Sequence, residues 1–237
     1  MILAAGRGTR LGELTASRPK ALVEINHRPL LRIVIERLKQ CGVTEIIVNA
    51  HHFADMVVDY LDQEDRFGIR IEVSREADLL DTGGGLKQAA WFFLDDDARL
   101  NEPFILHNVD VVSTIDFDRM IDFHREQGAD VTLAVQQRTT SRYLLFDSGG
   151  HLGGRYRSGD VKPSGSDIRA FAGVHVMTPA LVDRLPGTGA FSIIDAYLAL
   201  VRRGAKIVGF PADEYGWQDV GTPERLASTR LDMPPDA

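Results

Sequence analysis

Apolar positions along the chain fall into two alternating rhythms. Leu30, Leu31, Val34, Ile35 and Leu38 recur at i, i+4 and i+8 and predict a helix over 29–42, with Pro29 suited to its first turn and Gly42 to its end. Residues 44–50 are almost uninterrupted in apolar character, as expected of a central parallel strand covered on both faces. Ala54, Val57, Val58 and Leu61 return to helical spacing, and residues 69–73 alternate as a strand. With Ile2-Leu3-Ala4-Ala5 as a first strand, this succession predicts an α/β fold, a Rossmann-like doubly wound mixed sheet whose ligands lie beyond the carboxyl ends of its strands. The glycine-rich turn Asp81-Thr82-Gly83-Gly84-Gly85 follows and leads into a helix through Ala90 to about residue 93, with Trp91, Phe92 and Phe93 read as core. Next come a buried strand at Phe104-Ile105-Leu106 and a helix ending near 127. Ser113-Thr114-Ile115-Asp116 opens that helix with the spacing of a capping box. A strand over 129–135 comes after it.

Beyond residue 138 the pattern shortens. Strand-like runs at 143–146 and 154–157 are separated by Asp-Ser-Gly-Gly and Ser-Gly-Asp turns, which predicts hairpins. One domain, 1–237, is expected to divide into a first half (1–137), an inserted β-rich lobe (138–190) and a closing segment (191–237). The closing segment contains a helix capped by Ser192, a strand over 206–210, and a final helix capped by Thr222 with Pro223 in its first position.

The first strand breaks at Gly6-Arg7-Gly8-Thr9-Arg10. From Arg7 to Lys20 the chain carries four cations (Arg7, Arg10, Arg18 and Lys20) against one acid, Glu13, although its overall net charge is -7. Glycines bring backbone N–H groups close to a bound group, and such concavities attract anions. Arginine forks onto phosphate while lysine acts as a point charge, so the stretch points to several phosphates at once. Neither familiar phosphate motif is present: G-x-x-x-x-G-K-[ST] is absent, and Leu11 stands where G-x-G-x-x-G needs its third glycine. The second long strand ends in Asn49 rather than the acid that would hold an adenine ribose, which disfavours a dehydrogenase. Three glycines, Gly83 to Gly85, open a helix and would present free N–H groups to a cleft. Asp110 stands just past the end of an apolar strand, where it either caps a turn or holds a hard divalent cation through oxygen.

LAAG-x-GTRL, followed by LT-x-x-x-PK-x-L, resembles the N-terminal signature of the sugar-1-phosphate nucleotidylyltransferases; PFILHNVD and W-x-D-V-G-T-P resemble that family's later motifs in the same order. The resemblance implies nucleotidyl transfer from an NTP to a sugar 1-phosphate with Mg²⁺ as cofactor. Gly6, Gly8, Thr9 and Arg10 would hold the triphosphate, and Lys20 would meet the reacting phosphates. Backbone at Leu3, Ala4 and Ala5 and the turn Thr82, Gly83, Gly84 would lie against base and ribose. Asp110 and Asp219 would bind the metal, with Arg10, Lys20 and Asp110 as the catalytic set. Lys162 and Gly173 would serve the acceptor, although Val161 replaces the acid that relatives carry before the lysine. The short uridylyltransferases of N-acetylmuramate 1-phosphate look most similar. Guanylyltransferases of mannose or heptose 1-phosphate come next, then cytidylyltransferases of phosphocholine- or phosphonate-like acceptors. A non-catalytic nucleotide-sugar-binding regulator is the alternative from another class.

Composition narrows this in three ways. An acidic chain of 237 residues lacks the basic face of a general nucleic-acid binder. No apolar run approaches a membrane span and no signal segment is evident, so a cytoplasmic location away from membranes is expected. The single Cys41, in an apolar helical pattern, reads as a buried structural thiol. No long apolar surface helix or heptad run bears on oligomeric state.

Overall fold

The computed structural model describes residues 1–95, 100–157, 159–161 and 163–232. Its strands are β1 (Ile2–Leu3), β2 (Glu24–Ile25), β3 (Arg28–Pro29), β4 (Glu45–Ala50), β5 (Arg70–Arg75), β6 (Phe104–Asn108), β7 (Val111–Ser113), β8 (Val131–Gln136), β9 (Tyr143–Phe146), β10 (Leu152–Tyr156), β11 (Asp167–Met177), β12 (Ile207–Pro211) and β13 (Trp217–Asp219). The α-helices are α1 (Leu30–Gln40), α2 (Ala54–Gln63), α3 (Asp81–Gln88), α4 (Trp91–Leu94), α5 (Phe117–Gln127), α6 (Ala180–Asp183), α7 (Ile193–Val201) and α8 (Pro223–Asp232).

The main sheet runs β10-β9-β11-β6-β1-β4-β5, with β8 joining β11 and β12 joining β8. Pairs β1–β4, β1–β6, β4–β5 and β8–β12 are parallel, whereas β11 is antiparallel to β6, β8 and β9. This is the mixed α/β sheet expected from the alternating pattern. The hairpin strands β9 and β10 are continuous with it, so the segment expected as an inserted lobe extends the main sheet. Two apolar layers enclose the sheet. One gathers α1, α2 and α5 residues such as Leu31, Leu38, Leu61 and Met120; the other gathers Leu86, Leu181, Tyr197 and Leu200. β4 is buried from Ile46 to Ala50, which explains its unbroken apolar run.

Several local expectations change. Asp116, not Ser113, caps α5: its carboxylate accepts the Arg119 N–H at 3.0 Å, and Ser113 ends β7 instead. Ser192 caps α7 in position only; the hydroxyl that accepts the Ile193 N–H, at 3.0 Å, belongs to Thr82. Phe93 stacks on Phe104 with ring centroids 4.0 Å apart, but Trp91 is 43% exposed because α4 is a single turn with one face outward. Cys41 is only partly buried, at the carboxyl cap of α1.

The three glycines of α3 are a packing device. Gly83 and Gly84 N–H both donate to the Phe191 carbonyl, at 2.9 and 3.4 Å, and Phe191 N–H donates back to Leu80 O at 3.1 Å. A β-carbon on Gly83 would collide with the Phe191 ring, and one on Gly84 with the Gly189 carbonyl. Gly83→Ala is therefore expected to destabilise the fold by about 1–3 kcal/mol, the usual cost of overpacking. The midpoint of urea unfolding should fall with an unchanged slope; an unaltered midpoint would refute this packing role.

Candidate active site

β1, β4 and β6 lie side by side and parallel, so their carboxyl ends open on one edge of the sheet. The opening loop is anchored there twice. Val109 N–H donates to Leu3 O at 3.1 Å, tying β1 to the turn that bears Asp110. Ala4 N–H donates to Asn49 Oδ1 at 2.7 Å. Asn49 is 2% exposed, and its amide donates to Glu76 Oε1 at 2.6 Å. The other Glu76 oxygen accepts the Leu80 N–H at 3.0 Å. Burial raises the Glu76 carboxyl above the usual range, opposed by hydrogen bonds from Leu80 and Asn49. Gly85 makes room for this chain of bonds, since its β-carbon would lie 2.5 Å from Glu76 Oε1 and 2.6 Å from Asn49 Nδ2. Asn49 thus has a role the sequence reading missed: it joins the Ala4 loop to the Leu80 turn.

After Ala5 the chain is exposed at Gly6 and Arg7. Gly8 enters the left-handed region at φ 65°. Its bare α-carbon lets Thr15 and Lys20 approach, as a β-carbon there would meet Thr15 Cγ2 at 3.0 Å and Lys20 Cβ at 3.1 Å. Among the described residues, the N–H groups of Gly6, Arg7 and Gly8 have no partner. Thr9 and Arg10 begin a 3-10 segment and are exposed. Lys20, only 7% exposed, forms an ion pair with the Asp110 carboxylate. Half of a nearly buried pair cannot be removed cheaply, because the survivor is left uncompensated.

Asp219 arrives from the far end of the chain through β13, which pairs antiparallel with β7 so that Asp219 faces Val111. Val220 N–H donates to Asp110 O at 2.9 Å. The Asp219 carboxylate accepts Gly221 N–H at 2.7 Å and Arg225 Nη1 at 2.9 Å. Gly221 is flanked by two charged groups: its β-carbon would lie 2.6 Å from Arg10 Nη2 and 2.7 Å from Asp219 Oδ1. Arg10, Lys20, Asp110 and Asp219 therefore meet at the mouth of β1 and β6. No group of three or more His, Cys, Asp or Glu suited to a metal occurs among the described residues.

The acceptor-side expectations fare differently. Gly173, at φ 79°, sits in β11 against this site, where a β-carbon would be 2.7 Å from Val111 Cγ2 and 3.0 Å from Asn108 Nδ2. Lys162 lies outside the described residues. Thr82, Gly83 and Gly84 sit beside the Leu80 end of the Asn49–Glu76 link. However, the Gly83 and Gly84 donors are spent on Phe191 and the Thr82 hydroxyl on Ile193, so the free N–H groups expected of this turn are not free. Arg225 was also missed; its signal was a basic residue one turn into the helix behind the late aspartate.

A family model described as Nucleotidyl transferase matches residues 1–234. The chain belongs to the nucleotidyl transferase family. A mannose-1-phosphate guanyltransferase of Gibberella zeae is 32% identical over 96% of this chain and 62% of its own length. Another, mannose-1-phosphate guanyltransferase beta-A of Xenopus laevis, is 30% identical over 94% of this chain and 61% of its own. The chain thus spans about three-fifths of these relatives' length. Among solved structures, HddC from Yersinia pseudotuberculosis complexed with GMP-PN superposes with a TM-score of 0.77 at 22% identity, covering 98% of this chain and 97% of that one. A putative glucose-1-phosphate thymidylyltransferase from Bacillus anthracis gives 0.79 at 19% identity, covering 97% and 92%. Both superpositions show a shared fold.

The Asn49 bridge is testable. Asn49→Leu keeps volume but strands the Ala4 N–H and a Glu76 oxygen, and each such buried group costs about 1–3 kcal/mol. A lowered urea midpoint together with a several-fold higher KM for nucleotide is expected; wild-type values for both would show that the bridge positions nothing.

Proposed function

We propose that this nucleotidyl transferase moves a nucleotidyl group from an NTP to a sugar 1-phosphate, releasing pyrophosphate. The observation carrying this reading is the convergence of Arg10, Lys20, Asp110 and Asp219, drawn from both ends of the chain, beside a glycine loop with unpartnered N–H groups. A phosphate oxygen of the sugar 1-phosphate forms a bond to the α-phosphorus, and the bond from that phosphorus to the β-phosphate bridge breaks. The nucleophile is already anionic, so no side chain need remove a proton, and catalysis rests on positioning and charge stabilisation. Lys20, held beside the site by Asp110, turns its ammonium to the α-phosphate. Arg10 meets the departing pyrophosphate.

The donor set fits a hard divalent cation. Asp110, in the turn before β7, and Asp219, at the end of β13, are tied together by the Val220 N–H to Asp110 O bond, and Mg²⁺ characteristically takes one or two carboxylates and completes its shell with phosphates and water. Asp110 and Asp219 would hold it; when bound, it neutralises charge developing on the phosphates.

Guanylyl transfer to mannose 1-phosphate is the favoured pairing, supported by the names of the relatives above. It takes the place of the UTP and N-acetylmuramate 1-phosphate pairing expected from the sequence resemblance.

Pyrophosphate release measured with each of the four NTPs against a panel of sugar 1-phosphates should be greatest for GTP with mannose 1-phosphate. A protein that binds nucleotide yet releases nothing with any pair would be the regulator instead. Lys20→Ala and Asp110→Ala, compared with wild type at matched folded fraction, should each lose on the order of 100- to 1000-fold in turnover. Near-normal turnover in either would remove that residue from the mechanism.

A further inference from the structure

Arg138 lies just past the end of β8. Its guanidinium carbon is 3.9 Å from the centroid of the Trp217 ring, and one Nη donates to Phe171 O at 2.7 Å. Its Nε is buried with no partner. Trp217 is itself fixed, its indole N–H donating to Ala172 O at 2.6 Å. Among the described residues no carboxylate lies within ion-pair distance of Arg138. Burial lowers its pKa, partly offset by the nearby charge of Asp219. A half-buried cation without a counterion is costly unless an anion completes it.

Burial and stacking alone do not identify a site. Arg37 has the same features, with its guanidinium over Phe117, a bond to Ile115 O and a lone buried Nε, yet it braces α1 against the start of α5. Arg138 differs in location. Trp217 and Asp219 are two residues apart in β13 and so project from the same face, placing Arg138 on one side of the Asp219 carboxylate. Arg10 lies on the other side, over Gly221. In chain order Asp219 thus stands between Trp217, which Arg138 covers, and Gly221, which Arg10 approaches, and the charge of Asp219 is felt at Arg138. Transfer at phosphorus requires the entering oxygen and the leaving pyrophosphate on opposite sides. The Arg10 side is continuous with the glycine loop, Lys20 and the triphosphate. The Arg138 side faces Phe171, Ala172 and Gly173, where β11 passes from β9 to β6.

We propose that Arg138 binds the phosphate of the acceptor, holding it on the side of Asp219 opposite Arg10; this rests on the nucleotidyl-transfer reading above.

The test compares wild type, Arg138→Gln and Arg138→Lys in steady-state kinetics, with GTP and mannose 1-phosphate each varied in turn, alongside thermal unfolding. Arg138→Gln is expected to raise KM for mannose 1-phosphate at least 10-fold while leaving KM for GTP within about twofold, with Arg138→Lys recovering part of the loss. If both KM values rise together with a fall in Tm, Arg138 is a clamp on Trp217 and the proposal is overturned; unchanged KM values overturn it equally. If wild type releases no pyrophosphate, the transfer reading fails and calorimetric titration with mannose 1-phosphate decides separately. Binding abolished only by Arg138→Gln upholds the anion site. Equal binding in both proteins, or none in either, removes it.

Discussion

The site depends on one short antiparallel register: β13 laid against β7 so that Asp219 faces Val111 and Val220 N–H bonds to Asp110 O. Without it the two carboxylates belong to unrelated parts of the chain. With it they are fixed by backbone hydrogen bonds, which hold geometry better than side-chain contacts alone. The like charges drawn together are offset locally, Asp110 by Lys20 and Asp219 by Arg225 and the Gly221 N–H. Each carboxylate is therefore paired with a cation supplied by a different segment of the chain.

The same principle governs the mouth of β1. Ala4, Asn49, Glu76 and Leu80 form a line of hydrogen bonds from the mouth of β1 to the start of α3, and Gly85 is small so that this line can pass. The α3 glycines then admit the 189–191 segment. Small residues here create close approach between protein segments. That differs from the exposed backbone donors expected from a glycine-rich turn, and the difference arises because a neighbouring carbonyl, Phe191 O, reached those donors first.

Much of this architecture was legible in the sequence because it is periodic. The α1 stripe from Leu30 to Leu38 and the apolar run of β4 reflect one-sided and two-sided burial, and local pattern reports burial well. The opening loop was legible because its cations run against an acidic chain. What could not be read was pairing across distance. Nothing local distinguishes Thr82 from Ser192 as the cap of α7, since the Thr82 hydroxyl arrives from more than a hundred residues away. Asp116 could have been preferred to Ser113, because it directly precedes α5. Asn49 was read only for what it is not, an acid, whereas a buried amide at a strand end must spend its hydrogen bonds somewhere.

β11 is also a mechanical part. Its first half pairs with β9 through Asp167–Ala170, its second with β6 through Val174–Met177, and Gly173 stands at the changeover with a backbone few other residues tolerate. A single ladder therefore runs from the hairpin region to the floor beneath Asp110, with no linker between them. Two regions sharing a strand cannot swing apart as hinged bodies do; they can only twist about each other, and the glycine is where that torsion is easiest. The placing of the hairpin region relative to Asp110 is thus built into the sheet at folding.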